Sequence, residues 1–300
     1  MNCGDGVVYK SLNEAISMTF GSTVTIENRQ VVHGGDANDA YALMLSDGKR
    51  AFLKENTASN ADFFRAEAED VAAIGDTDTL RVPTIHAYGT DGNRAFLLME
   101  YIERKGPCKD FWDKLGCGLA MMHKADTSKY VNDGKYGFKS NNYIGAGKQK
   151  NTPKESWIEF FSECRLRPQF KLAEAYFDMD VIKAADRLMD HLDRFLFEPE
   201  FPSLLHGDLW AGNFMSDENG EPMLIDPAVY VGCSEADIAM TELFGGFDKR
   251  FYVAYFDSMG KVQGYEDRRD LYNLYHLLNH LNLFGIAYLP AVVRTIREFE

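Results

Sequence analysis

The stretch "LLHGDLWAGNFM", residues 204–215, decides how this chain is read. An apolar run, Leu204-Leu205, leads into a His, and an Asp follows it by two residues. An Asn stands five residues after that Asp. A second Asp, Asp226 in "MLIDPA", comes 18 residues after Asp208, again at the end of a short apolar run. Two adjacent strand ends therefore offer three oxygen side chains. Mg²⁺ is a hard cation that takes a few carboxylate or carboxamide oxygens and keeps its other positions for water and phosphate. Asn213 and Asp226 suit that demand, which leaves Asp208 to orient an attacking hydroxyl and accept its proton. An ordinary Asp is a weak base, but a loose phosphoryl-transfer transition state needs the proton removed only late.

Working outward, the region before this stretch supplies partners for such chemistry. "VVHGGDANDAY" places Gly34, Gly35 and Asn38 in a turn between strand-like runs, either an ordinary hairpin turn or one whose backbone N–H groups approach phosphate oxygens without a Cβ clash. Lys54 in "AFLKEN" projects from a strand and reads either as a phosphate-holding lysine, with Glu67 and Glu69 of the next helix both candidates for its acidic partner, or with them as plain solvated charges. "FLLMEYI" is a strand ending at Glu100, Tyr101 and Ile102, either a linker whose backbone pairs with a purine edge or a plain buried strand. His206 reads as a brace for the loop that follows it. His276 and His280 are four apart on one helix face, but no third ligand motif accompanies them, so a zinc site is not expected.

The secondary-structure pattern changes character near residue 102. Before it, Ser11 and Glu14 have capping-box spacing ahead of a helix that stops at Gly21. "VTIENRQVV", "AYALMLS", "RAFLKEN", "TIHAYG" and "AFLLMEYI" read as strands, joined in part by the turn dipeptides Asp47-Gly48 and Asp91-Gly92, with "FFRAEAEDVAAIG" as a helix among them. The first hundred residues thus read as a small antiparallel sheet with helices packed on it. After Phe111 the period is mostly helical, in "FWDKLGCGLAMMHKA", "WIEFFSECRLRPQFKLAEAYF", "DVIKAADRLMDHLDRFL" and "RRDLYNLYHLLNHLNLF", interrupted by the strand-like "SLLHGDL" and "PMLIDPA". The loop from Lys124 to Thr152 is long and rich in Gly, Asn and Lys, hence functional or mobile.

Composition bounds the rest. The chain has 300 residues, 45% of them hydrophobic and 26% charged, as in an ordinary globular protein able to form two unequal lobes. A formal net charge of -14 argues against nucleic acid or an anionic membrane as partner and leaves a cationic substrate open. Five cysteines without a C-x-x-C pair suggest neither a metal site nor a disulfide framework, so a reducing cytoplasm is the expected compartment. Neither a signal-peptide pattern nor an apolar run long enough to span a membrane is present.

The order of Gly turn, strand Lys, helix Glu, "MEYI", "HGDLWAGN" and "LIDPA" resembles the protein-kinase-like fold, in its small-molecule branch with aminoglycoside and choline kinases. More closely it is similar to the fructosamine kinase (ketosamine-3-kinase) family, through Trp210 after "HGDL" and through "WIEFFSECRLRPQF", "EADIAMTELFGGF" and "RRDLYNLYHLLNHLNLFG". The resemblance implies an α+β, two-lobed fold, with a nucleotide-covering sheet lobe over 1–102 and a helical lobe over 103–300. It implies ATP and Mg²⁺ as cofactors, Asp208 as catalytic base, and Asn213 with Asp226 as metal ligands. Lys54 would hold phosphates and pair with Glu67, while Gly34, Gly35 and Asn38 cover the nucleotide and Glu100 and Ile102 face adenine. Trp210 would pack against the sugar, with His280 near it. The implied reaction is phosphorylation of the 3-hydroxyl of a free or protein-bound ketosamine, after which the sugar is shed. "HGDxxxGN" alone would equally suit a kinase of an aminoglycoside or an amino alcohol, or a kinase-fold binding module. The Gly turn departs from the family's pattern at Ala37 and has no Cys, so a redox switch known in some relatives is not expected. A monomer is the expected oligomeric state.

Overall fold

The computed structural model describes residues 8–32, 38–131 and 135–300. In chain order the elements are β1 (Val8–Tyr9), α1 (Leu12–Phe20), β2 (Ile26–Val31), β3 (Asp39–Leu45), β4 (Arg50–Thr57), α2 (Ala61–Gly75), β5 (Ile85–Asp91) and β6 (Arg94–Glu100). There follow α3 (Phe111–His123), β7 (Asn142–Ile144), β8 (Gly147–Gln149), α4 (Trp157–Phe160), α5 (Arg167–Ala173), α6 (Met179–Asp190), β9 (Ser203–Leu205), β10 (Phe214–Ser216), β11 (Pro222–Leu224) and β12 (Tyr230–Gly232). The last are α7 (Glu235–Leu243), α8 (Lys249–Met259), α9 (Tyr265–Phe284) and α10 (Leu289–Phe299). The chain divides into two compact units, one of residues 1–111 with 214–227 and the other of 112–213 with 228–300.

The first unit is built on a six-stranded sheet in the order β1-β5-β6-β4-β3-β2. Strands alternate faces with period two, and both faces of β6 are covered, which is why "AFLLM" is apolar throughout. Phe96 and Leu98 join Leu53 and the α1 residues Leu12 and Ile16 in one cluster, and Ala95, Leu97 and Met99 join Phe64 and Ala68 of α2 in the other. Two details depart from the sequence reading. The sheet is not wholly antiparallel, because β1 adds a parallel edge beside β5. The expected capping box at Ser11 is absent as well: its side chain makes no cap hydrogen bond, and the amide of Leu12 instead donates to Asp91 Oδ2 at 3.0 Å. A long-range carboxylate thus does the work assigned to a local hydroxyl.

The second unit packs α9 against α5, α7 and α10, with β9 and β12 forming a short antiparallel pair. The single helix expected over "WIEFFSECRLRPQF" is interrupted by a π-helical turn, Phe161–Leu166. Pro168 has no N–H to offer the carbonyl of Cys164, and that carbonyl accepts from the Arg165 guanidinium at 3.0 Å. The Lys124–Thr152 region is anchored over much of its described length by buried carboxamides. Asn142 Nδ2 donates to the carbonyl of Val229 at 2.8 Å, and Gln149 Nε2 to that of Ala228 at 2.9 Å. Asn142 is 1% exposed, a structural placement rather than a surface one. Among the described residues no helix is long and apolar enough to cross a membrane.

Candidate active site

In the first unit, strand alternation aims Lys54. Ala51 and Leu53 of β4 face the α1 cluster, so Lys54 points to the opposite face, where α2 lies. Its Nζ donates to Glu67 Oε1 and to Asp226 Oδ1, both at 2.6 Å. The choice between the two candidate acids follows from helix geometry. Two residues along α2 is more than half a turn, and Glu69 instead binds Arg65 Nη1 at 2.6 Å on the same helix. Burial works against the charge on Lys54, yet the carboxylates of Asp226 and Glu67 outweigh it and hold its pKa above the ordinary lysine value. Burial, reinforced by the charge of Asp226, pushes the Glu67 carboxyl up against the opposing pull of Lys54. Asp226 itself is half exposed and sits in the left-handed region at φ 52°, which Asp tolerates better than most residues. Asn38 Oδ1 accepts from Asn56 Nδ2 at 2.8 Å, tying the residue just before β3 to the end of β4. Gly34 and Gly35 lie outside the described residues.

Glu100, at the end of β6, is held at both its backbone and its side chain. Its amide donates to the carbonyl of Thr84 at 2.9 Å, and its carboxylate accepts from the Thr84 amide at 3.1 Å and from Arg81 Nη2 at 2.6 Å. Ile102 follows it outside regular structure, partly exposed.

In the second unit, the loop after β9 carries Asp208. Gly207 has φ 80°, and a Cβ there would stand 2.0 Å from the carbonyl oxygen of Ala228, so only glycine fits. The loop is pinned from below by Asp237, a buried carboxylate at the start of α7. Its Oδ2 accepts from the amide of His206 at 2.7 Å and its Oδ1 from that of Gly207 at 2.9 Å. His123 Nε2 lies 3.1 Å from Asp237 Oδ2, and His123 Nδ1 lies 2.8 Å from the Tyr255 hydroxyl. The hydroxyl donates to Nδ1, and Nε2–H donates to the carboxylate. Burial would raise the Asp237 pKa, but His123 and the Gly207 amide overcome it and hold the carboxyl below its usual value. The sequence reading assigned no role to Asp237 or His123. The only available signal was an acid inside the apolar helix "EADIAM".

His206 is the expected brace, fully buried, with Nδ1 accepting from the amide of Asp208 at 3.3 Å. Asn213 Nδ2 donates to the Asp208 carbonyl at 2.8 Å and to its Oδ2 at 3.1 Å. The amide nitrogen of Asn213 thus locks the Asp208 rotamer, and its oxygen is the end suited to a hard cation. Trp210 is 41% exposed, with its ring over Gly212, whose missing Cβ makes the space. Ala211 abuts Gly246, in the loop after α7 that begins with Phe244, and Phe244 packs on His280 with ring centroids 5.0 Å apart. His280 also contacts Phe284 and Tyr288, and its Nδ1 donates to the carbonyl of His276 at 2.8 Å. Behind this region, fully buried Arg165 lies 3.8 Å from the Tyr230 ring centroid and donates to Asn151 Oδ1 and the carbonyl of Lys150.

Comparison with known proteins places the chain in a family. The family described as fructosamine kinase matches residues 8–299. A protein of Synechocystis sp. named "Probable ketoamine kinase" is 39% identical over 97% of this chain and 96% of its own. The chloroplastic protein-ribulosamine 3-kinase of Oryza sativa subsp. japonica is 40% identical over 94% of this chain and 81% of its own. Among solved structures, a protein of Haemophilus somnus assigned as a fructosamine-3-kinase superposes with a TM-score of 0.85 at 26% identity, covering 97% of both chains. A spectinomycin phosphotransferase shares the fold alone, with a TM-score of 0.56 at 14% identity over 96% of this chain and 92% of its own. With a two-lobed kinase-like architecture and matches that span nearly its whole length, the chain belongs to the fructosamine kinase family.

Proposed function

We propose that the protein transfers the γ-phosphoryl group of ATP to the 3-hydroxyl of a ketosamine, a sugar joined to an amine by Amadori rearrangement. The observation that carries this reading is the fixed Asp208 carboxylate, clamped by Asn213 Nδ2 on a loop pinned through Asp237. Asp208 orients the sugar hydroxyl and accepts its proton late in the transfer, so placement matters more than basicity. Lys54, kept charged by its carboxylate neighbours, holds nucleotide phosphates. The Glu100 amide is already paired with Thr84, so the purine edge falls to the Glu100 carbonyl and to Ile102.

Asn213 Oδ1 and the Asp226 carboxylate would be the oxygen donors for Mg²⁺, a hard cation, which would supply neutralisation of phosphate charge. Gly34, Gly35 and Asn38 cover the nucleotide, as part of a sheet lobe over residues 1–102 that is followed in sequence by a helical lobe over 103–300. Trp210 offers an apolar face to the sugar's C–H groups, with His280 in the same region. The net charge of -14 favours approach of a ketosamine whose nitrogen is protonated. The 3-phosphate then eliminates inorganic phosphate, and water hydrolyses the resulting imine, releasing the sugar fragment as a dicarbonyl and restoring the amine, so the physiological outcome is deglycation in the cytoplasm, performed by a monomer.

The test is incubation of the purified protein with Mg-ATP and fructosyl- or ribulosyl-lysine, with ADP release and phosphorus NMR of the product as readouts. Phosphorylation by the wild type and its loss in Asp208→Asn are expected. Absence of a phosphorylated ketosamine, alongside turnover of an aminoglycoside or choline, would replace this reading with a neighbouring kinase activity.

A further inference from the structure

The first unit contains a charged cluster that the reaction, as derived so far, does not use. Arg81 precedes β5 and sits among three carboxylates. Its Nη2 donates to Glu100 Oε1 at 2.6 Å. Its Nη1 donates to Asp217 Oδ2 and, at 2.9 Å, to Glu218 Oε2. The Arg81 backbone is engaged too: its carbonyl accepts from the amide of Leu224 at 2.9 Å, and the residue bridges Met223 in parallel register. One residue thus ties the end of β6 to both ends of the β10–β11 hairpin. The last strand of that hairpin stops two residues before Asp226.

The surrounding contacts show that the hairpin turn and the segment after β6 form one connected body. The amide of Lys105 donates to the carbonyl of Asp217 at 3.2 Å, and Ser216 Oγ donates to the Lys105 carbonyl. The amide of Cys108 donates to the carbonyl of Gly220 at 2.9 Å. Asp217 Oδ1 accepts from the amides of Asn219 and Glu221 at 2.8 and 2.9 Å, so its carboxylate organises the turn while Oδ2 faces Arg81. Burial alone would raise the Asp217 pKa, but these amides and Arg81 hold it below the usual value. The Asp217 side chain is only 4% exposed, and without the guanidinium it would face Glu100 and Glu218 across the cluster uncompensated.

We propose that Arg81 is a positioning residue for nucleotide and metal together, its guanidinium fixing Glu100 and Asp217 while its backbone fixes the strand leading to Asp226. The proposal rests on the reading that the nucleotide lies against the Glu100 carbonyl and Ile102 and that Asp226 takes the metal. A lysine at this position keeps the charge but is a point donor that cannot span all three carboxylates as the planar fork does.

The experiment compares wild type with Arg81→Lys in the full chain. Circular dichroism and thermal melting check the fold, and calorimetric titration with Mg-AMP-PNP reads affinity. Because AMP-PNP binding needs no acceptor, this readout survives even if ketosamine is the wrong substrate. The expected result is a melting temperature close to wild type, AMP-PNP affinity lowered at least fivefold, and a KM for ATP raised by a similar factor. KM for the ketosamine should stay within twofold, which a merely structural lesion would not produce. If Arg81→Lys does not fold, Glu100→Gln, which keeps the side chain's shape, carries the same expectation. Wild-type AMP-PNP affinity in a folded variant, or equal losses in both KM values, would overturn the proposal.

Discussion

The placement of Trp210 can be tested without touching the indole. A Cβ added to Gly212 would lie 2.3 Å from Trp210 Cζ2, 2.4 Å from Cη2 and 2.8 Å from Cε2. Gly212 is not among the glycines with positive φ, so alanine meets no backbone penalty there and its whole effect falls on the ring. Ordinary contact begins near 3.4 Å, so the ring must shift by at least about 1 Å. The indole is 41% exposed and can swing outward, which keeps the cost in stability near 1 kcal/mol or less. A displacement of about 1 Å at a substrate-positioning group costs up to roughly 100-fold in rate, and loss of apolar contact alone costs about tenfold. The expectation for Gly212→Ala is therefore a fall of about 10- to 100-fold in kcat/KM for a ketosamine, or about 1.4–2.8 kcal/mol of transition-state stabilisation. KM for ATP should change less than about twofold. The assay is steady-state ADP release with each substrate varied in turn, beside a thermal melt. A folded Gly212→Ala protein with wild-type kcat/KM for ketosamine would refute the reasoning that this ring faces the sugar.

Asp237→Asn turns one acceptor oxygen into a donor facing the amides of His206 and Gly207 or the N–H of His123. It should lower stability by about 1–3 kcal/mol and reduce kcat more than it raises either KM, as measured by urea unfolding and steady-state kinetics. His276 is buried, its Nδ1 has no hydrogen-bond partner among the described residues, and burial followed by the nearby His280 depresses its pKa from 6.5 to about 3. The unfolded chain therefore binds a proton that the folded chain refuses between those values. The contribution is fully present above pH 6.5 and is lost as pH falls, by about 2 kcal/mol at pH 5. Urea midpoints at pH 7.5 and 5 should show that loss in the wild type and a smaller one in His276→Phe; equal pH slopes would contradict it. For the Asp208→Asn variant, a drop in kcat of at least about 100-fold with AMP-PNP affinity retained is expected, read by calorimetry beside turnover.

Much of the fold was legible because periodicity is local. The helix over "FFRAEAEDVAAIG", the Asp47-Gly48 hairpin and the doubly buried β6 all follow from spacing within a dozen residues. The proposed reacting groups are picked out for a different reason: Asp208, Asn213 and Asp226 stand at fixed intervals in two short stretches, and their oxygens suit one chemistry. What stayed closed to the sequence was every choice made by residues far apart in the chain. Spacing alone leaves Glu67 and Glu69 equivalent; the family resemblance points to Glu67, and the rotation of α2 against β4 brings that residue to Lys54. Ser11 has the spacing of a cap, but Asp91 from another element reached the Leu12 amide. Asp237 is a plain acid in an apolar helix until the fold places it beneath the amides of His206 and Gly207. Arg81 is one charge before a Val-Pro step until Glu100 and Asp217 close around it. Short-range spacing encodes backbone form and the kind of chemistry on offer. Hydrogen bonds between distant segments depend on how whole elements pack, so only the tertiary structure decided which side chains hold the reactive ones in place.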